Sequence, residues 1–209
     1  MSVKTKYPLF FLVIVISLCA QGCFGKGKTN IENIRNYLDS IDTLSANFIQ
    51  ISPDGKVETG KLLLKKPDKI RFEYDLPSNH LVLASGLLLV IIDRKSNSEP
   101  QRYLTSQTPL ELLLGKNKAF QNSPQTQRSF LEGTKFHVIF NDQENPKLGE
   151  LELIFSTAPI KLIELNTKDY SGQKTRILLE DISANILVRD ELFNIGAEVS
   201  NFKRSIVPD

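Results

Sequence analysis

Side chains that could carry out catalytic or metal chemistry are few and widely separated in this 209-residue chain. The two histidines are His80 and His137, and both cysteines lie within the first 25 residues. Zinc sites need three or four such ligands close together, and the sequence lacks the motifs of zinc peptidases, serine hydrolases and phosphate-binding loops. Glu150 and Glu152 alternate with leucine, which favours a solvated strand edge over a glycosidase pair. We therefore expect a non-enzymatic binding protein without a metal or cofactor.

The N-terminus has the layout of a secretory signal peptide. Lys4 and Lys6 precede a run over residues 9–18 that is apolar except for Ser17, and small and polar residues follow it. This run is shorter than the roughly 18 residues that a membrane-spanning helix needs. The sequence therefore predicts a signal peptide over residues 1–25 and one exported domain over residues 26–209.

The cleavage site has two interpretations. The tetrapeptide Ala20-Gln21-Gly22-Cys23 resembles a bacterial lipobox, in which the cysteine becomes acylated, but it lacks the usual leucine three residues before the cysteine. Alternatively, signal peptidase cuts near Ala20, Gly22 or Gly25. A cut after Gly25 removes both cysteines, so that the exported domain has neither a disulfide nor a thiol.

Net charge excludes one class of partner. The predicted signal contains two lysines and no acidic residue, so its removal leaves basic and acidic residues in equal number. A nucleic-acid-binding domain needs a basic surface that attracts phosphates. We therefore expect no nucleic-acid partner.

Hydrophobic periodicity predicts one helix followed by many strands. Apolar residues recur at three- and four-residue spacing over residues 30–42, which is typical of an amphipathic helix. Alternation with a period of two then predicts strands at 44–50, 60–66, 70–75, 101–104, 136–140, 150–155, 160–165 and 175–180, and a hairpin over 81–92 that turns at 84–86. The tail, 196–209, is interpreted as a final strand and a loose end. These elements predict a mainly β fold in which a large, curved antiparallel sheet forms an incomplete barrel.

A second helix is predicted between the two groups of strands. Pro109 stands at a favoured first helical position, residues 110–114 are very apolar, and Gly115 ends the segment. So short a helix is not stable alone. We expect it to cover the open apolar side of the sheet as a lid.

Side-chain parity assigns an inner face to the predicted strands. Ile70, Phe72 and Tyr74 alternate with charged residues, so they share one face of their strand. On the preceding strand Leu62 and Leu64 share a parity with Lys66, which this spacing brings to the rim of the inner face. The alternative is that Lys66 is a solvated residue at the end of that strand.

Several segments, in chain order, resemble one protein family. They are residues 43–50, 60–74 with Pro77, 84–86, the apolar helix at 108–114, and 169–175 with Leu192 and Phe193. Together they resemble the periplasmic outer-membrane lipoprotein carrier protein of Gram-negative bacteria. The resemblance implies a helical lid over an apolar cavity that holds the acyl chains of lipoproteins. It also implies an inner-membrane ABC transporter that loads the carrier and an outer-membrane receptor that unloads it.

Two positions depart from the family pattern. Lys66 stands where many members have a functional arginine, and lysine keeps the charge without the planar fork of donors. Residues 88–90 are aliphatic where an aromatic residue, usually tryptophan, often follows the glycine turn. A lid-latching contact made by arginine in other members is therefore in question here.

These considerations define the candidate site. Lys66 and Pro67 are predicted to contact the lid or a partner, and we expect a monomer. The predicted acyl-binding residues are Leu44, Phe48, Leu62, Leu64, Ile70, Phe72, Tyr74, Leu110, Leu113, Leu114, Leu151, Leu153 and Phe155. Two alternatives remain: the outer-membrane receptor of the same pathway, if Cys23 is acylated, and an envelope sensor or interaction module that binds no lipid.

Overall fold

The computed structural model describes residues 30–108, 126–141 and 146–206, which form an antiparallel sheet with α-helices on both of its faces. The helices are α1 (Ile31–Asp39) and α2 (Ile195–Ile206). The strands are β1 (Thr43–Ile51), β2 (Val57–Lys65), β3 (Lys69–Tyr74), β4 (His80–Ser85), β5 (Leu88–Asp93), β6 (Gln101–Leu104), β7 (Thr126–Glu132), β8 (Lys135–Asn141), β9 (Glu150–Thr157), β10 (Ile160–Lys168) and β11 (Lys174–Ala184). Short 3-10 helices span Thr105–Gln107, Pro146–Leu148 and Asp190–Phe193.

The strands form one sheet of 11 strands in the order β6-β5-β4-β3-β2-β1-β11-β10-β9-β8-β7. The pairing of β1 with β11 joins the two meanders and sets Phe48 opposite Leu179. The order ends at β6 and β7, so in the described part of the chain the sheet is not closed into a barrel. Sheets of this size curl. The predicted curved, incomplete barrel is confirmed.

Helix α1 begins with a capping box and packs on one face of the sheet, the inner face. The Asn30 side chain accepts a hydrogen bond from the Asn33 backbone N–H at 3.0 Å, and the Asn33 side chain accepts one from the Asn30 N–H at 3.1 Å. Ile34 is completely buried against the sheet. The Tyr37 ring meets Phe155 edge-on at 6.0 Å.

The junction of α1 with β1 is clamped by Asn185, just beyond β11. Its side-chain amide donates to the Ser40 carbonyl at 2.8 Å and accepts from the Asp42 N–H at 2.9 Å. Asn185 has a φ of +55°, a conformation that asparagine tolerates better than most residues. The C-terminal end of α1 is thereby fixed to the sheet.

The opposite, outer face is apolar where β4 and β5 lie, and α2 covers it. Leu81, Leu83, Val90 and Ile92 are buried there together with Phe193 from the last 3-10 helix and with Val199 and Phe202 from α2. Because Ala84 and Leu89 are buried on the inner face, the hairpin over 81–92 is buried on both of its faces. Its turn lies at Gly86 and Leu87 rather than over 84–86, because Ala84 and Ser85 still pair with β5, and Gly86 supplies the required positive φ of 65°.

Interpreting the tail as a final strand was wrong, because residues 195–206 are helical. Ile195, Val199, Phe202 and Ile206 recur at three- and four-residue spacing, which is the pattern of an amphipathic helix. Strand β7 was not predicted. The predicted lid at 109–115 and the predicted signal peptide lie outside the described residues. Among the residues that are described, no helix is long and apolar enough to cross a membrane.

Candidate functional site

Inner-face side chains of β1 to β5 stand in rows across the sheet, because the register places residues of the same parity opposite one another. The first row is Leu44, Leu64, Ile70, Ala84 and Leu89, and the second is Ala46, Leu62, Phe72, Val82 and Ile91. The third row is Phe48, Gly60 and Tyr74. All the inward residues predicted on these strands therefore share one surface.

Phe48 lies at the centre of an aromatic group within this surface. Its ring meets Phe72 edge-on at 5.4 Å and Tyr74 edge-on at 5.0 Å. Edge-to-face pairs stabilise a cluster by about 0.5–1.5 kcal/mol beyond their buried area. Gly60 stands opposite Phe48 on β2 and offers no side chain, which leaves room for the ring.

The second half of the inner face comes from β8, β9 and β10. Leu151, Leu153 and Phe155 pair with Phe140, Val138 and Phe136 of β8, and all six are buried. They belong to the same apolar cluster as the inner-face residues of β1 to β5 and Ile34 of α1. The structure thus brings together the predicted acyl-binding residues that it describes. Leu110, Leu113 and Leu114 lie outside the described residues.

In this conformation the inner face is covered rather than open. Phe48 is 1% exposed and Leu62 is 2% exposed, whereas Tyr74 is half-buried. Protein interiors are packed about as densely as organic crystals, so a ligand as large as an acyl chain cannot enter without displacing something. Helix α1 is the described α-helix that lies on this face.

Lys66 directly follows β2, two residues beyond Leu64 of the first row, and it contacts α1. Its ammonium group donates a hydrogen bond to the Leu38 carbonyl, one of the carbonyls of the last turn of α1. Desolvation lowers the pKa of Lys66, and the charges of Asp39 and Asp42 oppose that shift. Pro67 is exposed in the turn between β2 and β3. A partner contact at Lys66 and Pro67 remains a prediction.

At the opposite end of β2 the inner face becomes polar, which the sequence reasoning did not anticipate. Gln50 and Glu58 pair across β1 and β2, and His80 pairs with Asp93 across β4 and β5. Tyr74 donates a hydrogen bond from its hydroxyl to Oε1 of Gln50 at 2.7 Å. Side-chain parity could have predicted this polar end, because Gln50 lies two residues after Phe48 and Glu58 two residues before Gly60, which places both on the inner face.

Burial shifts the pKa values of two groups at this polar end. Burial raises the pKa of Tyr74 to about 12, and the charge of Glu58 adds to the effect. For Glu58 itself, burial favours the neutral acid, but hydrogen bonds from Lys56 and Ser78 outweigh burial and lower the pKa. Glu58 therefore remains a buried carboxylate, 8% exposed, at neutral pH.

An ion-pair network on the outer face was also missed. Arg71, one of the charged residues that alternate with Ile70 and Phe72, is 5% exposed beneath α2. It pairs with Glu198 at 2.7 Å and Glu73 at 2.8 Å, and it donates to the Leu192 carbonyl at 2.9 Å. Arg94, which directly follows β5, pairs with the same two carboxylates, with Glu73 at 2.8 Å and with Glu198 at 3.2 Å. The network fixes α2 directly behind the aromatic part of the inner face.

Two clefts lie elsewhere, along polar turns and the outer face. One of about 580 Å³ is bordered by Asn141, Gly149 and residues 168–172, and one of about 230 Å³ by Glu152, Asn166 and neighbouring charged residues. Neither is lined by the apolar rows. Within the described ranges, no group of three or more His, Cys, Asp or Glu side chains could hold a metal ion.

The geometry defines a class of fold, an open antiparallel sheet whose apolar inner face lies under a helix. The chain belongs to the outer membrane lipoprotein carrier protein family, LolA, whose family model matches residues 39–196.

Individual relatives are similar to this chain over most of its length. The chain is 25% identical over 198 residues to an outer-membrane lipoprotein carrier protein of Methylococcus capsulatus, with 90% of this chain and 94% of the relative covered. It is 28% identical over 210 residues to the carrier protein of Leptothrix cholodnii, covering 94% and 96%. A solved LolA superfamily protein from Nitrosomonas europaea aligns with a TM-score of 0.45 at 12% identity, over 81% of this chain and 99% of that one.

Proposed function

We propose that this protein is a periplasmic chaperone that binds the acyl chains of lipoproteins on its inner face and carries them from the inner to the outer membrane. The observation that carries the proposal is the continuous apolar inner face, contributed by both halves of the sheet and covered by α1. Family membership supports a lipoprotein carrier role. We propose that the protein is not an enzyme and acts as a monomer.

Energetics favour direct transfer between proteins. Burying an acyl chain is worth about 0.8 kcal/mol per methylene, so a chain of a dozen or more carbons is held by on the order of 10 kcal/mol relative to water. Release of the cargo into water is therefore negligible. The carrier must receive cargo from one partner and give it to another by contact, which fits an inner-membrane ABC transporter and an outer-membrane receptor.

Helix α1 is the proposed moving cover of the inner face. It is held by the buried Ile34, by the Tyr37 ring on Phe155, and by the hydrogen bond from the Leu162 N–H to the Tyr37 hydroxyl at 3.1 Å. At its C-terminal end Lys66 donates to Leu38. These contacts are few enough that an acyl chain burying comparable apolar area can replace them. The predicted lid, with Leu110, Leu113 and Leu114, would contribute to the same cover.

Detergent-free co-purification tests the proposal. A lipoprotein expressed with this protein should be recovered from the periplasm as a one-to-one complex. A matched lipoprotein whose acylated cysteine is replaced by serine should be recovered free. Equal recovery of the two cargo forms would show that acyl chains are not recognised, and failure to retain any acylated protein would exclude the carrier function.

The outer-membrane receptor of the same pathway is the second candidate, because of the sequence around Cys23. Mass spectrometry of the mature N-terminus separates the two functions. A soluble carrier should begin after the signal peptide without lipid, whereas a receptor should carry acyl groups on Cys23. Detection of acylated Cys23 would overturn the soluble carrier.

A further inference from the structure

The apolar part of the inner face has a definite lower boundary. Along β2 from Lys66, the first two rows, at Leu64 and Leu62, are apolar. The third row, at Gly60, is aromatic because Phe48 and Tyr74 stand on either side of the glycine. The next residue of the same parity is Glu58, and it pairs with Gln50. His80 and Asp93 lie at the same end of β4 and β5. We call the group of Gln50, Glu58, Ser78, His80 and Asp93 the polar floor.

Glu58, Ser78 and Gln50 of the polar floor have hydrogen-bond partners. The Ser78 hydroxyl donates to Oε1 of Glu58, and the Lys56 ammonium reaches the same oxygen at 2.7 Å. Tyr74 connects the floor to the aromatic row through its bond to Gln50. An alkyl chain pushed into this region would separate these partners and leave buried polar groups unpaired, which is strongly unfavourable.

The distance from rim to floor matches the length of a membrane acyl chain. Strands rise about 3.3–3.4 Å per residue, so Leu64 and Gly60 are about 13 Å apart along β2, and Leu64 and Glu58 are about 20 Å apart. A bilayer's hydrocarbon core is about 30 Å thick and contains two acyl layers, so one chain spans about 15 Å. The apolar rows are therefore long enough for one such chain and end where it would end.

We infer that the polar floor sets the length of acyl chain that the inner face accepts, with the chain's methyl end stopping at Tyr74 and Glu58. This inference rests on the proposed carrier function and adds a specificity-determining boundary to it. The headgroup would then lie at the rim, near Lys66. A chain longer than the apolar rows would gain nothing from its additional methylenes.

A chain-length series tests the inference on the purified protein. The probes are synthetic diacylglyceryl-cysteine lipopeptides that differ only in acyl length, from about 10 to 20 carbons. Affinity should rise about fourfold per buried methylene, until the chain reaches the floor, and should then stay level. We call the length at which affinity stops rising the break. Affinity that rises over the whole series without a break would overturn the floor and leave the carrier function standing. Binding at no length would overturn both.

Substitutions in the polar floor test whether it determines the chain length at which affinity stops rising. The double substitution Glu58→Leu with Ser78→Ala removes the carboxylate together with its hydroxyl partner, so it should move the break to longer chains by two or more carbons. Glu58→Gln keeps the position polar and should leave the break in place. Glu164→Leu is the matched control, because Glu164 is a buried carboxylate on the outer face, 2% exposed, and paired with Arg176 at 2.9 Å. A break that stays in place in the folded double variant would overturn the inference.

A second measurement needs no substitution. A lipopeptide with a photoreactive diazirine at the methyl end of one acyl chain should label peptides around Gln50 and Tyr74 in the wild-type protein. A probe with the diazirine beside the ester should label peptides around Lys66. The reversed labelling pattern would place the headgroup at the polar floor and overturn the proposed orientation.

Discussion

The ring of Phe48 occupies the space that a side chain at position 60 would need. A methyl group on Gly60 would lie 2.7 Å from Cε1 and Cζ of Phe48 and 2.2 Å from the Glu73 carbonyl oxygen. Both distances are far below van der Waals contact, and the second involves backbone that cannot move freely. The packing of the aromatic part of the inner face therefore requires glycine at position 60.

Gly60→Ala should destabilise the protein by about 1–3 kcal/mol, because the added methyl forces the ring and the neighbouring strand apart. Urea unfolding measures this loss. Gly196→Ala in α2 is the matched control, since its methyl would meet only the Asn194 side chain at 3.4 Å. Equal unfolding midpoints for Gly60→Ala and the wild type would contradict the packing described here.

Lys66→Met should loosen α1 with little effect on global stability. Removing a partly exposed hydrogen bond costs about 1 kcal/mol, but that bond joins the cover to the sheet. Amide hydrogen exchange in the last turn of α1 should accelerate. Lys61→Met on the solvent-exposed parity of the same strand is the control. Unchanged exchange in α1 would leave Lys66 as a surface residue without a role in the cover.

Leu64→Asp and Phe72→Asp should each abolish retention of acylated cargo, because a carboxylate on the inner face must be desolvated by the bound chain. Co-purification with lipoprotein measures retention, and circular dichroism identifies the variants that remain folded. Leu87→Asp, at a position that is 79% exposed, should retain cargo normally. Normal retention by a folded Leu64 or Phe72 variant would refute the inward assignment.

Tyr74 should make the protein sensitive to alkali. Its pKa is raised from 10.0 to about 12 in the folded state, so its contribution to stability is complete below pH 10 and is lost as the pH rises from 10 to 12. The loss amounts to about 2 kcal/mol. Tyr74→Phe should remove this part of the alkaline profile of urea unfolding, whereas Tyr170→Phe, at a residue 82% exposed, should not. Parallel profiles for the wild type and Tyr74→Phe would contradict the shift.

Glu198→Gln should weaken the attachment of α2 to the outer face. Arg71 would keep Glu73 but lose a charged partner in a buried setting, and such losses cost on the order of 2–4 kcal/mol. Glu99→Gln breaks the exposed pair with Lys203 and should cost well under 1 kcal/mol. If the two variants unfold at the same urea concentration, the Arg71 network does not anchor the helix.

Much of the inner face was predictable because one-sided burial leaves a period of two in the sequence. Ile70, Phe72 and Tyr74 show this alternation, and the register then aligns them with Leu64 and Leu62. The same rule applied to Gln50 and Glu58 would have predicted the polar floor. Polar residues at strand ends are usually solvated, however, whereas Glu58 is buried and accepts hydrogen bonds from Ser78 and Lys56.

The outer face was harder to predict, because its burial depends on a distant segment. Arg71 and Glu73 look like solvated residues until α2 places Glu198 above them, 125 or more positions later in the chain. Helical spacing from Ile195 to Ile206 could have identified α2. Nothing local could have shown which face of the sheet it covers, since that depends on the apolar outer residues of β4 and β5.

The clamp at Asn185 constrains how the inner face can open. Because it fixes the chain at Ser40 and Asp42, α1 would swing as a lever about its C-terminal end rather than lift away as a whole. Nine residues of helix are about 13 Å long, so a swing of about 30° carries the N-terminal end about 7 Å while the Leu38 end hardly moves. The gap would then be widest beneath Ile31 and Ile34, at the free end of the lever, and narrowest beside Lys66, where the headgroup of the bound chain would lie.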